Sequence, residues 1–328
     1  MDAARDSALH IQLLDRRQKL EDAIARPEAP AHLEHLLREV DSALERLDTG
    51  TYGLCEVCHD PIEEDWLMAD PLVRICLSHL SPDEQRAFEQ DLDLASQIQR
   101  TLLPRQNLSF GGWEVCHHYE PAGPVSGDYC DLVYSDSQDG DLFFLLGDVS
   151  GKGVAASILM SHLHAIFRSL VGAGLPVNQL VERANRVFCQ STMSTQFATL
   201  ICGRADRLGA IEICNAGHCP PLWARGGKVI RIESTGLPVG IFHNGQYSMK
   251  RMELAPGESL FLYTDGLSEA QNGANTEYGL DKLSKLVADR HSLSAQALKS
   301  ACLEDLKIFR SGAPKTDDLT IMVMRRVE

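Results

Sequence analysis

LLGDVSGKGVAAS, residues 145–157, places an aspartate, Asp148, at the end of an apolar run and follows it with two glycines, Gly151 and Gly153, and a helix start built of small residues. The run DLFFLLGDV ahead of it is short, apolar and bounded by turn formers, the pattern of a strand, and VAASILMSHLHAIFRSLV behind it has the spacing of a helix. Working outward, WEVCHHY, YCDLVY, FATLICGRA, AIEICNAG, ESLFLYTDG and LTIMVMRRV also read as strands. VNQLVERANRVFCQ and residues 280–289 and 293–310 read as helices. Strands cluster in consecutive runs instead of alternating strictly with helices. That favours a layered α+β domain with antiparallel sheets over a doubly wound one.

Other aspartates are placed like Asp148. Asp265 ends FLYTDG, Asp128 sits in VSGDYCD, and the pair Asp317 and Asp318 precedes LTIMVM. A single strand-end aspartate is ordinarily a turn residue or a helix cap. A set of them is different: if those strand ends converge, the carboxylates repel one another and demand a cation. Oxygen donors with no nearby His or Cys pattern select Mg²⁺ or Mn²⁺ over zinc.

The ordered series SGDY, GDVSGKG, NAGHCPPL, GLPVG, YTDGLSEA and TDDLT, led in by DLASQIQRTLLP, resembles the metal-dependent Ser/Thr protein phosphatases (PPM family), in their bacterial SpoIIE/RsbU-type branch, over about residues 95–326. The resemblance implies a β-sandwich of two antiparallel sheets flanked by helices, with two Mn²⁺ or Mg²⁺ ions at one end. It implies that Asp148 bridges both ions, that the Val149 carbonyl binds one, and that Asp265 and Asp317 bind the other, with Asp318 the neighbouring candidate. Asp128 takes the place of the acid that holds a metal-coordinated water. Gly147, Gly151 and Gly153 are expected to let the backbone approach the ions closely. The implied chemistry is attack by an activated water on phosphoserine or phosphothreonine, without a covalent phosphoenzyme. By analogy the substrate is an anti-sigma factor antagonist in a partner-switching pathway. Lys152 stands where this branch often has His, and phosphate attraction and a plain surface lysine are both open. His218 reads as structural, shaping the turn around Pro220 and Pro221.

Toward the N-terminus, Leu9, Leu13, Leu20 and Ile24, then Leu33, Leu36, Val40, Leu44 and Leu47, recur at helical spacing on either side of RPEAPAH. Two helices joined by a proline-bearing turn read as an antiparallel hairpin, with two surface helices on a larger body as the alternative. Cys55 and Cys58 form C-x2-C, and Cys76 with His79 forms C-x2-H after a gap of 17 residues. Four such donors close a tetrahedral shell around one structural Zn²⁺. Together with the helices ahead of it, the stretch DTGTYGLCEVCHDPIEEDWLMADPLVRICLSHL resembles the DksA/TraR-type zinc finger over roughly residues 35–80, His79 standing for the usual fourth cysteine. Ser81, Pro82 and Glu84 open a further helix with a capping box, and its apolar stripe, Phe88 to Leu102, is of the kind used for packing or dimerisation.

The expected organisation is therefore a hairpin and finger at 1–80, a linker helix at 81–104 through which the chain forms a homodimer, and a phosphatase domain at 105–328. A formal charge of −15 argues against general affinity for nucleic acid or anionic membrane. No apolar run approaches the roughly 20 residues expected of a bilayer span, and the N-terminal residues lack a signal-peptide pattern, so a cytoplasmic location is expected. Ten cysteines are then expected to be metal ligands or buried thiols. The alternative to an enzyme is a non-enzymatic, transcription-associated module with its finger on RNA polymerase. A metal-dependent nuclease or nucleotide hydrolase fits less well, because GDVSGKG lacks P-loop spacing.

Overall fold

The computed structural model describes residues 3–25, 32–63, 66–67, 70–134, 140–192 and 195–327. The chain forms two compact units, one ending at Asp91 and one running from Leu92 to Glu328.

In the first unit, helices α1 (Ala3–Ile24) and α2 (His32–Asp48) pack together through Leu13, Leu20, Val40, Ala43 and Leu44, joined by Tyr52 and Leu72 from the following segment. The proline-bearing turn expected between them lies, at residues 26–31, outside the described residues. Arg46 is buried at the base of α2, where its guanidinium donates to the carbonyls of Val73 (2.9 Å) and Leu72 (3.3 Å) and lies over the Tyr52 ring. One side chain thus gives two main-chain carbonyls of the following segment a hydrogen-bond donor. Helix α3 (Pro82–Leu102) starts with the expected reciprocal cap: Ser81 N donates to Glu84 Oε2 (2.9 Å), and Glu84 N to Ser81 Oγ (3.3 Å).

The second unit is a sandwich. Strands β1 (Asn107–Phe110), β2 (Trp113–Glu120), β3 (Asp128–Tyr134), β4 (Leu142–Val149), β5 (Ala198–Ala205), β6 (Ala210–Ala216), β7 (Leu222–Arg225), β8 (Lys228–Arg231), β9 (Lys250–Glu253), β10 (Ser259–Tyr263) and β11 (Leu319–Arg326) build two sheets. Their orders are β1-β2-β11-β10-β7-β8 and β3-β4-β5-β6-β9, antiparallel throughout. Alternate side chains point to opposite faces of a strand. On β4, Leu142, Phe144 and Leu146 enter the inter-sheet core with Met322 and Met324 of β11. Leu145 and Val149 face outward under helices α4 (Gly153–Leu170) and α5 (Val177–Ser191). On β11 the alternate residues Leu319, Ile321 and Val323 face helices α7 (Leu280–Asp289) and α8 (Ala295–Arg310). Both faces of each central strand are covered, so these strands read as continuous apolar runs.

Three features differ from the sequence expectation. The short strands β1, β7, β8 and β9 were not anticipated. The chain leaves β10 at Tyr263 and turns at once into a single helical turn, α6 (Asp265–Ser268), where ESLFLYTDG read as strand throughout. One stretch, Gly153–Ala173, is long and apolar enough to cross a membrane by length and composition, contrary to the count of apolar runs. Its apolarity has a local account, since Leu159, Met160, Leu163, Ile166 and Phe167 pack into the cluster over the five-stranded sheet.

Candidate functional site

Antiparallel pairing brings the acids together. Asp128, first residue of β3, lies opposite Asp148 near the end of β4, and Asp148 lies opposite Thr199 at the start of β5. In the other sheet the end of β10 pairs with the start of β11, Tyr263 opposite Ile321, which sets Asp265 beside Asp317 and Asp318. Residues 264–266 and 317–318 approach so closely that a Cβ on Gly266 would fall 1.9 Å from the Asp318 carbonyl oxygen. Gly266→Ala is therefore expected to force the two loops apart, at a cost of about 1–3 kcal/mol by analogy with overpacked cores. Urea unfolding measures the loss, and a matching fall in Mn²⁺ affinity shows that the loops carry the site.

The electrostatics are those of a crowded acidic rim. Burial first, then repulsion from Asp265, Asp317 and Asp318, pushes the Asp148 carboxyl up to about 8. Asp265 is raised by burial and by Asp317. Asp128 is buried and raised well above the carboxylate range by desolvation and by Asp148, although Thr264 Oγ1 (3.0 Å) and Thr320 Oγ1 (2.5 Å) both donate to its Oδ2. Such a set favours a bound cation over proton-free carboxylates, and its all-oxygen chemistry suits a hard divalent ion.

The neighbouring acids Asp317 and Asp318 have different tasks. Both oxygens of Asp318 are engaged by main-chain donors, Oδ1 by Ala122 N (2.7 Å) and Oδ2 by Gly127 N (2.9 Å), so this carboxylate clamps the loop leading to Asp128. Asp317 instead accepts from Lys152 Nζ at Oδ2 (3.1 Å), and Lys152 also donates to the Thr316 carbonyl (2.8 Å). Lys152 thus sits as an internal counter-ion on Asp317. His218 is buried, with Nε2 donating to the Tyr263 carbonyl (3.1 Å) and Nδ1 accepting from Thr199 Oγ1 (2.7 Å), so it joins the two sheets just behind the acids. Burial drives its imidazole down to about 4, which keeps it neutral and structural.

The glycines after Asp148 divide by cause. Gly151 and Gly153 have φ of +95° and +68°, the left-handed backbone a side chain resists, as the sharp turn into α4 requires. Gly147 has a steric reason on the neighbouring strand, where a Cβ would meet the Thr199 carbonyl oxygen at 2.7 Å.

Gln99, Thr264 and Thr320 escaped the sequence reading. Gln99, buried on α3, donates to the Ser126 carbonyl (2.7 Å) and accepts from Ser126 N (3.0 Å), while Ser126 Oγ accepts from Asp128 N (3.0 Å). The lead-in DLASQIQRTLLP was the available signal for Gln99, and the motifs YTDG and TDDLT for the threonines.

In the first unit, the ligand atoms of Cys55, Cys58, Cys76 and His79 lie within 4.8 Å of one another. Cys58 Sγ and Cys76 Sγ are 3.8 Å apart, and His79 Nδ1 is 3.0 Å from Cys76 Sγ and 3.9 Å from Cys55 Sγ. Zn–S bonds of about 2.3 Å in a tetrahedron put sulfurs about 3.8 Å apart, so the donor set fits zinc.

The chain matches the family Stage II sporulation protein E (SpoIIE) over residues 138–327, more than half of its 328 residues. Protein IcfG of Synechocystis sp. is 26% identical over 265 residues, 72% of this chain and 41% of IcfG. Phosphoserine phosphatase RsbU of Bacillus subtilis is 27% identical over 253 residues, 74% of this chain and 72% of RsbU. The chain therefore spans less than half the length of IcfG. Among solved structures, the SiaA-PP2C domain of Pseudomonas aeruginosa shares the fold with a TM-score of 0.65 at 21% identity, over 74% of this chain and 98% of that domain.

Proposed function

The chain belongs to the Stage II sporulation protein E family, and from that membership we propose that it is a metal-dependent phosphoserine/phosphothreonine protein phosphatase. The observation that carries this reading is the meeting of Asp128, Asp148, Asp265 and Asp317 from strand ends of both sheets at one rim. Asp148, Asp265, Asp317 and the Val149 carbonyl would hold two Mn²⁺ or Mg²⁺ ions. Ions of this kind supply Lewis acidity toward a phosphoryl group and a nucleophilic water near neutral pH.

The chain's own residues then have distinct work. Asp128, its Oδ2 held by the Thr264 and Thr320 hydroxyls, is the acid we assign to holding a water at the rim. Asp318 holds the 122–127 loop, and His218 keeps the sheets in register. A chain of net charge −15 repels a phosphate wherever cations are lacking, so Lys152 is its local contribution to phosphate attraction.

The substrate we assign is the phosphoserine form of an anti-sigma factor antagonist; RsbU, called a phosphoserine phosphatase, supports the phosphoserine part. Residues 1–80 serve as hairpin and DksA/TraR-like zinc finger, 81–104 as a linker helix and 105–328 as the catalytic domain. Leu94 and Ile98, exposed one turn apart on α3, support dimerisation through that helix. The non-enzymatic, polymerase-bound alternative is not favoured, because it gives the acidic rim no task.

The test is release of phosphate from a phosphoserine protein with Mn²⁺ and with EDTA; equal rates in the two refute the reading. Lys152→Met separates a further point. Freeing Asp317 from its partly exposed ion pair, worth up to about 1 kcal/mol, is expected to tighten Mn²⁺ binding about fivefold by calorimetry. It should also raise KM for p-nitrophenyl phosphate. Unchanged values of both would make Lys152 a plain surface residue.

A further inference from the structure

The acidic rim is bordered on one side by apolar surface. The end of β4, the start of β5 and the end of β6 lie at the same edge of their sheet, Val149 opposite Ala198 and Leu200 opposite Ala216. Phe197 is tied to Ser150, two residues past Asp148, by Ser150 N to Phe197 O (2.9 Å) and Phe197 N to Ser150 Oγ (3.0 Å). Ala198 and Val239 exchange main-chain hydrogen bonds of 2.8 Å, which seats loop 236–242 against Phe197. Asn185 of α5 fastens the same loop by accepting from Gly240 N (2.9 Å) and donating to the Phe242 carbonyl (2.8 Å). The backbone here is firmly held, yet Phe197, Leu237, Ile241 and Phe242 are each between 37% and 60% exposed. Scattered exposed hydrophobics are ordinary, but a fixed group of them at the lip of a reactive site marks an interaction surface.

We propose that these four residues form an apolar collar on which a phosphoprotein substrate rests, one whose phosphoserine is flanked by apolar side chains. The proposal rests on the phosphatase reading and names what that site selects. A phosphoserine side chain is short, so the backbone that delivers its phosphate to the acids must lie on the surface immediately around them, and the collar is that surface. Beyond Phe242 the collar gives way to a polar groove of about 590 Å³ lined by Glu182, Arg186 and residues 243–248. An apolar centre with a polar border is the usual make-up of a protein interface.

The test uses the intact chain with Mn²⁺, p-nitrophenyl phosphate, and two phosphoserine nonapeptides that differ only in carrying Leu or Ser beside the phosphoserine. The expected wild-type result is a kcat/KM about tenfold higher for the Leu-flanked peptide, in line with burial of one apolar side chain. Phe197→Ser and Phe242→Ser each bring that ratio to within about threefold through KM, while turnover of p-nitrophenyl phosphate stays at the wild-type level. Leu208→Ser, 84% exposed in the turn at the opposite end of β5, keeps the full preference. Equal use of both peptides by the wild type, or an undiminished preference in both collar variants, overturns the collar alone. A change from dimer to monomer in the collar variants, read by light scattering, also overturns it by assigning the surface to a second copy. Failure of the wild type to hydrolyse p-nitrophenyl phosphate removes the catalytic reading, and the collar with it.

Discussion

Asp148→Asn is expected to lower Mn²⁺-dependent phosphoserine hydrolysis by at least about 10³-fold, the effect of losing about 4 kcal/mol of transition-state stabilisation. The same substitution should make the metal-free protein more stable at pH 8. Asp148 has its proton affinity raised to about 8, against an ordinary value of 3.8, by burial and then by Asp265, Asp317 and Asp318. Between those two pH values the unfolded chain carries a charged aspartate while the ion-free folded chain retains the proton. The folded state therefore binds more protons, and its stability falls as pH rises from about 4 to about 8. Asp265 and Asp128, also raised, add slopes of the same sign. Melting temperatures of metal-stripped wild type should drop between pH 5 and pH 8, and the asparagine variant should show a flatter dependence. Added Mn²⁺ should recover the loss at pH 8 in the wild type by mass action and much less in the variant. Parallel melting curves for the two proteins, with or without Mn²⁺, would mean that Asp148 faces neither the other acids nor the ions.

Which parts of this site can be read from the chain follows from how each residue earns its place. DLFFLLGDV and LTIMVMRRV were legible as strands because sheets covered on both faces need apolar side chains at every position. NLSF, LWAR, KVIR and KRME were not: each is four residues long, and two of them are mostly exposed edge segments whose pairing is dictated by a neighbour instead of by their own pattern. The acids were legible as a set because each lies at or next to one end of a strand beside small residues, but their convergence depends on pairings such as Asp128 opposite Asp148, which lie outside any local window. Asp317 and Asp318 look equivalent in TDDLT, and partners remote in sequence separate their roles, the amides of Ala122 and Gly127 on Asp318 and Lys152 on Asp317. Gly147 also lies against the carbonyl of Thr199, a close approach between strands that leaves no mark on the sequence beyond the glycine itself.

Loss of a donor from the Cys55, Cys58, Cys76 and His79 cluster should show the larger structural effect. Among the described residues, the cluster around Cys55 and Cys76 holds Ile62 and Val73 buried and Trp66, Leu67 and Ile75 partly buried, while Tyr52 and Leu72 of the same segment pack on the hairpin. Each such side chain contributes about 1.5–3 kcal/mol when fully buried, before the conformational entropy of the segment is charged against it. Metal binding in small finger peptides is worth about 10–16 kcal/mol at neutral pH, so the ion, not the packing, would hold residues 49–80 in shape. Cys76→Ser is accordingly expected to abolish stoichiometric zinc by atomic absorption and to open residues 49–80 to protease. Helices α1 and α2 retain their own contacts through Leu13, Leu20, Val40 and Leu44 and should resist digestion longer. The sandwich of the Leu92–Glu328 unit has three apolar clusters of its own, none containing Cys55, Cys58, Cys76 or His79, so it should keep a separate thermal transition near the wild-type temperature. Cys189→Ser, which alters a thiol outside the cluster, should leave zinc content and digestion unchanged. A Cys76→Ser protein that retains one zinc per chain and a wild-type digestion pattern would mean that the four donors meet without holding an ion, and that the segment's own small core suffices.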